Sequence, residues 1–298
     1  MTEAHPLTLA LGGRWHGRYG TAPCPICQPE RRRDQNALTL ADGAAGLLLS
    51  CKKAGCSFRD ILAAAGVVPG DYARPDPGTL ARRDAEQRRE AERRERQART
   101  LWAEALPIPG TPAETYLRGR AITCALPDTL RFHPACWHGA TATRLPALMA
   151  RVDGGASFAV HRTFLRADGL GKAEVAPGTT KLMLGATQGG AVRLADGQGV
   201  LAVAEGIETG LSLCSGILSG PVAVWAALSS SGVSRLRLPS TPGQLIVATD
   251  SDDNGVGAAA GNALAERAAA LGWAVTLFPA PAGRDWNDVL RDMKGAAA

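Results

Sequence analysis

Leu245-Ile246-Val247-Ala248-Thr249-Asp250-Ser251-Asp252 is an apolar run that stops on two carboxylates, and the same figure occurs twice more. Leu201-Ala202-Val203-Ala204 runs into Glu205-Gly206, and Val275-Thr276-Leu277-Phe278 leads to a loop holding Asp285-Trp286-Asn287-Asp288. Apolar runs this short, alternating with helical stretches, predict a parallel β-sheet buried on both faces. The expected order is a strand at 201–204, helix 206–218, strand 221–227, a short turn or helix near 232–237, strand 244–249, helix 255–271, strand 273–278 and helix 286–293. In such a sheet all strand C-termini open on one edge, where ligands bind. Carboxylates converging there repel one another unless a cation lies between them. Hard oxygen ligands suit Mg²⁺, and Mg²⁺ with few protein ligands implies a phosphate-bearing substrate.

A Glu-Gly closing one strand, Asp-x-Asp-x-x-Gly closing the next (Asp250, Asp252, Gly255) and a later Gly-x-Asp-x-Asn-Asp (Gly283 to Asp288) resemble the Toprim domain. That domain is shared by bacterial-type primases, topoisomerases and some nucleases. The resemblance implies that Glu205, Asp250 and Asp252 are catalytic and that Asp285 and Asn287 complete a surface for Mg²⁺ or Mn²⁺. Replicative primases carry a second carboxylate four residues after the glutamate. Here that position is Thr209, with Glu208 one residue earlier, which puts the number of metals in question.

Near the N-terminus stand Cys24-Pro25-Ile26-Cys27 and Cys51-Lys52-Lys53-Ala54-Gly55-Cys56. Two cysteine pairs split by a segment able to form a hairpin match the way a zinc ribbon holds one tetrahedral ion. Asn36–Leu40 and Gly46–Ser50 read as its strands, with a turn at Asp42-Gly43, and 57–66 as a closing helix with Ser57 as N-cap. Zn²⁺ is expected on Cys24, Cys27, Cys51 and Cys56. His16 is read as a surface or packing residue.

A zinc ribbon first and a Toprim domain last is the order found in bacterial and phage DNA primases. Over about residues 10–68 and 100–292 the chain also resembles the short Toprim primase-like proteins of proteobacterial prophages and integrative elements. Between the two modules, Ser157–Leu165 alternates like a strand, and after Asp168-Gly169 comes Thr179-Thr180-Lys181. The resemblance implies that Arg162 and Lys181 line the groove for template and nucleotide. The expected organisation is a zinc ribbon over 10–68, a charged helical linker over 69–99, a mixed α+β domain over 100–198 and a Toprim domain over 199–294.

Net charge is +5, and its distribution is informative. Residues 1–100 hold 17 Lys/Arg against 12 Asp/Glu, residues 101–199 hold 10 against 7, and residues 200–298 hold 6 against 9. A basic front with an acidic end suits nucleic-acid binding by the first part and metal binding by the last. Arg31-Arg32-Arg33 and Lys52-Lys53 lie on the zinc module, where phosphate contacts would be geometrically defined. There is no apolar signal-peptide core, and Gly216–Leu228 is too short to span a bilayer, so a cytoplasmic protein without a membrane partner is expected.

Several motifs fail on physical grounds. Gly255-x-Gly257-x-x-Ala260 opens a helix after a strand, but Asp250, Asp252 and Asp253 would repel a pyrophosphate there. Gly171-Lys172 has no preceding P-loop glycine and is followed by Ala173 instead of Ser/Thr, so no helicase motor is encoded. His133, Cys136 and His138 lack a fourth ligand and read as packing. A topoisomerase needs a nucleophilic tyrosine, and none of Tyr19, Tyr72 and Tyr116 has a supporting context.

The activity implied is synthesis of short RNA primers on single-stranded DNA from NTPs, with unwinding supplied by a separate replicative helicase. Two alternatives stay open: a Toprim-type nuclease using the same carboxylates, and a non-catalytic DNA-binding replication or mobilisation factor.

Overall fold

Short β-forming runs between Arg14 and Cys51 pair into a small antiparallel sheet. The computed structural model describes residues 3–32, 34–43, 46–68, 76–251 and 255–295. Helix α1 (Ala4–Ala10) precedes β1 (Arg14–Trp15), β2 (Tyr19–Ala22), β3 (Leu38–Asp42) and β4 (Leu47–Cys51), which pair in that order. The β3–β4 hairpin opposes Leu38 to Cys51 and Asp42 to Leu47. It is the hairpin expected between the two cysteine pairs. Helix α2 (Phe58–Ala64) starts at Ser57, whose Oγ accepts the Asp60 N–H at 3.2 Å, satisfying an orphan donor of the first turn. Leu38, Leu40 and Ile61 are fully buried and pack with Leu7 and Leu11 of the α1 segment into one small core.

Helix α3 (Pro77–Glu104) is continuous for 28 residues. The described residues form two compact units, Met1–Glu90 and Ala91–Ala298, divided within this helix. Its first turns are anchored to the N-terminal unit. Arg83 pairs with Glu3 at 2.9 Å and Asp42 at 3.3 Å and lies over the Trp15 ring, while Arg18 meets Asp84 at 3.0 Å.

In the second unit, α4 (Pro112–Arg118) is followed by β5 (Leu130–His138), β6 (Thr143–Val152), β7 (Ala159–Phe164) and β8 (Lys181–Leu184), an antiparallel sheet in that order. Next come β9 (Val192–Ala195), β10 (Val200–Ala204), α5 (Ile207–Ser212), a π-helical turn (Leu213–Ile217), β11 (Ala223–Ala226), α6 (Ser230–Arg235), β12 (Gln244–Thr249), α7 (Val256–Ala270), β13 (Ala274–Pro279) and α8 (Trp286–Gly295). Their sheet has the order β13-β12-β10-β11-β9, with β10, β11, β12 and β13 parallel. β9 runs antiparallel to β11 and forms the edge. The chain therefore combines a four-cysteine antiparallel module, a mixed α+β region and a C-terminal α/β domain with a mostly parallel sheet.

One face of the antiparallel sheet (Leu148, Ala150, Val152) shares a core with Ala204, Ile207 and Leu211 of the parallel domain. The other face (Ala147, Met149, Val160, Phe164) buries Ala98 and Ala105 of the α3 segment. Helix α5 reaches its sheet closely because residue 210 is glycine: a Cβ there would lie 2.5 Å from Leu194 Cδ1 of β9.

Candidate active site

Register places the acidic residues on one edge. Ala204 pairs with both Ala226 and Ala248, and Ala248 with Phe278, so the chain turns off β10, β11, β12 and β13 at one level. Glu205 and Asp250 stand where β10 and β12 end. Ser251 N–H donates to Arg284 O at 3.0 Å, which draws the loop after β12 against the loop leading to α8 and so brings Asp285 into reach of Asp250.

Asp250 is the focus of this edge. Thr209 Oγ1 donates to its carboxylate at 3.1 and 3.3 Å, and Trp286 N–H approaches Oδ1 at 3.4 Å. Burial pushes the Asp250 carboxyl up to about 6; the Asp285 and Glu205 charges add to this, while the Thr209 and Trp286 donors oppose it. Thr209 supplies a hydroxyl that orients Asp250. Glu205 accepts from Ser230 Oγ at 3.0 Å, a contact from the start of α6 that sequence reading did not anticipate. Asp285 Oδ1 accepts the Asp288 N–H at 2.8 Å, so it caps α8 as well as facing Asp250. Asp252 lies outside the described residues.

Asn287 has a different setting from that expected of a metal ligand. It is fully buried: its Oδ1 accepts from Arg120 Nη1 at 2.7 Å, and its Nδ2 donates to Arg120 O and Ser212 Oγ, both at 2.9 Å. Its amide ties α8 to α5 and to the segment after α4.

Arg162 and Lys181 are not brought together. Arg162 pairs with Leu182 and Thr163 with Lys181, so in the alternating pleat Arg162 and Lys181 point to opposite faces of the sheet. Arg162 Nη1 donates to Trp137 O at 3.4 Å and its guanidinium lies near the Phe164 ring. Lys181 faces the parallel domain and donates to Glu208 Oε2 at 3.0 Å.

Glu208, noted in the sequence beside Thr209 but given no role there, is buried in the first turn of α5. Its Oε1 accepts from Tyr116 Oη at 2.9 Å and pairs with Lys172 Nζ at 3.3 Å. Burial alone would raise its carboxyl, but Lys181 and Lys172 together hold it well below the usual carboxylate range. Burial pushes the Tyr116 phenol far above its ordinary value, and the Glu208 charge adds to this. That phenol is a structural donor and not an activated nucleophile. Lys172, from the failed P-loop fragment, is thus a partner of Glu208.

Lys172 is delivered by a turn that needs glycine. Gly169 has φ +72°, and a Cβ on it would lie 2.5 Å from the Pro112 carbonyl oxygen. Gly169→Ala therefore meets both left-handed strain and a backbone clash, and about 2–3 kcal/mol of destabilisation is expected. For a unit of this size that corresponds to a melting temperature lower by roughly 5–10 °C. Scanning calorimetry checks this, and an unchanged transition would contradict it.

The four cysteine sulfurs all lie within 4.8 Å of one another, and Cys27 Sγ is 3.6 Å from Cys51 Sγ. Edges of about 3.8 Å are those of a tetrahedron of sulfurs around Zn²⁺ at 2.3 Å. Gln28 ties the first pair to β3, its Oε1 accepting from Cys24 N–H at 3.2 Å and Ala37 N–H at 3.0 Å. Burial pushes the Cys51 thiol up, but the Ala54, Cys56 and Lys53 N–H groups directed at its sulfur bring it down to about 6. Burial and the neighbouring sulfurs push Cys56 up to about 12. Four thiols so placed cannot all ionise without a cation among them, so the set fits a structural metal. Among the described residues no other group of three or more His, Cys, Asp or Glu ligand atoms is gathered so tightly.

On the same module Arg31, Arg32, Lys52 and Lys53 are exposed, and Arg33 lies outside the described residues. His16 Nε2 meets Thr21 Oγ1 at 2.9 Å and its ring lies against Tyr19. Both ring nitrogens of His138 are engaged, with Thr141 Oγ1 at 2.7 Å and Thr179 O at 3.0 Å. No helix among the described residues is long and apolar enough to cross a membrane.

Residues 92–194 match the model of a domain of unknown function (DUF7146), and residues 200–297 that of the Toprim domain. No curated protein matches the chain. Among solved structures, the zinc-binding and RNA polymerase domains of Aquifex aeolicus primase align over 100% of this chain and 84% of theirs, at 11% identity and TM-score 0.43. The primase fragment of the bacteriophage T7 primase-helicase protein aligns over 93% of this chain and 96% of its own, at 13% identity and TM-score 0.31. The acidic edge built by β10, β12 and the loop before α8 is thus the edge of a Toprim domain, which this chain carries over residues 200–297 behind a four-cysteine module and an α+β region.

Proposed function

We propose that the chain is a primase-like nucleotidyltransferase that makes short RNA primers on single-stranded DNA from NTPs. The observation that supports this best is Asp250: a carboxylate mostly withdrawn from water at a strand end, facing the charges of Asp285 and Glu205 and pushed up to about 6. Such a concentration of negative charge fits a divalent cation. Mg²⁺ or Mn²⁺ would be held by Asp250 with Glu205, Asp285 and Asp252, and when bound would neutralise phosphate charge.

In the proposed reaction a 3′-hydroxyl attacks the α-phosphate of an NTP, a new phosphodiester bond forms and pyrophosphate leaves. Ser230 occupies one oxygen of Glu205, and the other is assigned to accept the hydroxyl proton. Lys181, with Lys172, is assigned to the nucleotide phosphates. Arg162, on the opposite face of its sheet, is left out of this edge. Cys24, Cys27, Cys51 and Cys56 would hold a Zn²⁺ that organises the N-terminal module without entering the chemistry, and the exposed Arg31, Arg32, Lys52 and Lys53 suit phosphates of the template strand. Strand separation would fall to a separate helicase.

The test is incorporation of labelled NTPs by the purified protein on single-stranded DNA with Mg²⁺, run beside nuclease activity on the same DNA. Incorporation without cleavage is expected, and Glu205→Gln is expected to abolish it at saturating Mg²⁺. Cleavage without incorporation would replace the reading with a Toprim-type nuclease. Primer synthesis by Glu205→Gln at the normal rate would remove the glutamate from the chemistry.

A further inference from the structure

Resting on the nucleotidyl-transfer reading, we infer that Glu208 is a positioning residue: it aims the ammonium groups of Lys172 and Lys181 at the phosphates of the incoming nucleotide. Both oxygens of the carboxylate are committed, Oε1 to Tyr116 and Lys172 and Oε2 to Lys181. The carboxylate is 9% exposed, whereas the two lysine side chains are 32% and 40% exposed. Each ammonium thus spends a donor on a buried anchor and keeps others open to a ligand. A lysine on its own is a flexible four-carbon stem with a hydrated charge. Two lysines pinned to one carboxylate lose that freedom before any phosphate arrives.

The anchor is itself fixed in register with the acidic edge. Tyr116 Oη accepts from Arg120 Nε at 3.0 Å, and Arg120 Nη1 reaches Asn287, two residues beyond Asp285. On the other side, the next residue after Glu208 is Thr209, which holds Asp250. A single helical turn therefore sets both the cationic pair and the metal-binding aspartate. His161, on the same face of its sheet as Lys181, is buried with Nδ1 unpartnered. Burial, with the Lys181 charge, pushes it down to about 4. It adds no competing charge. Two lysines and Arg120 against one carboxylate leave the cluster net positive, so a phosphate is attracted while Glu208 stays in place.

The experiment uses the full chain and two readouts, NTP incorporation kinetics and protection of Lys172 and Lys181 from an amine-acylating reagent by inorganic pyrophosphate, read by mass spectrometry. Glu208→Gln makes the cluster more positive, so charge alone would tighten pyrophosphate binding. Positioning gives the opposite. The concentration that half-protects the two lysines is expected to rise about tenfold, KM for NTP to rise in parallel, and kcat to change less than about threefold. Tyr116→Phe removes a buttress of Glu208 without changing charge, and should move both readouts the same way by about threefold. It decides the matter if Glu208→Gln does not fold. Protection unchanged or tighter in the folded variants would overturn the inference, as would incorporation by a wild-type protein whose lysines pyrophosphate does not protect. Protection of the wild type that weakens in the variants, without any incorporation, would keep Glu208 as the organiser of a phosphate site and remove the polymerase reading.

Discussion

Asp250→Asn is expected to lower Mg²⁺-dependent NTP incorporation by about a thousandfold, roughly 4 kcal/mol of transition-state stabilisation, with the fold intact. The substitution keeps Oδ1 as an acceptor for the Thr209 hydroxyl and the Trp286 N–H, removes the charge and replaces the second oxygen by an amide NH2. An acid whose folded pKa is raised contributes stability below its unfolded value, here the ordinary 3.8, and loses it as pH climbs through about 6. At neutral pH the ionised Asp250 is therefore a cost to the free protein, and the variant should melt at the same temperature or higher. A gain in stability beside a collapse in activity marks a group kept for chemistry. The comparison is made by calorimetry and by incorporation assayed across a Mg²⁺ titration. A variant that polymerises normally would leave Asp250 as a helix-flanking residue of no catalytic consequence.

The second large effect is expected from Cys27→Ser. The N-terminal unit has a small apolar core around Leu38, Leu40 and Ile61, and structural Zn²⁺ in modules of this size contributes about 10–16 kcal/mol of apparent binding free energy. Losing one of four sulfurs should release the ion, loosen residues 20–65 and free Arg83 from Asp42, because Asp42 ends β3 and depends on that hairpin. Residues 91–295 should keep their own transition. Metal analysis and hydrogen exchange read the two halves of this expectation, and undiminished zinc in the variant would sink the assignment.

Legibility in the sequence followed how local each signal was. Apolar runs ending on Glu205 and Asp250 announced strands whose ends the structure puts within a residue or two of the expected places. The cysteine spacing announced the β3–β4 hairpin. What escaped was set by register and by distance along the chain. The pairing of Thr163 with Lys181 decides that Arg162 and Lys181 part company across the sheet, and no alternation within either strand reveals that pairing. Tyr116, Lys172 and Lys181 converge on Glu208 from 92, 36 and 27 positions away, separations without any periodic signature. Asn287 was assigned to the metal surface through the Toprim resemblance. Its burial against Arg120 and Ser212 is a fact of packing, visible only once α5 and α8 are side by side.

Strand β9 carries a consequence for anyone cutting this chain. The Toprim match starts at residue 200, yet Val192–Ala195 closes the parallel sheet beside β11, and Leu194 covers Gly210 of α5. A fragment trimmed to 200–297 would bare the backbone donors and acceptors of Ala223–Ala226, an open sheet edge that invites pairing with a second copy. It would also uncover the helix that carries Glu208. The transplantable piece of this protein is longer than its family match, and must begin before Val192.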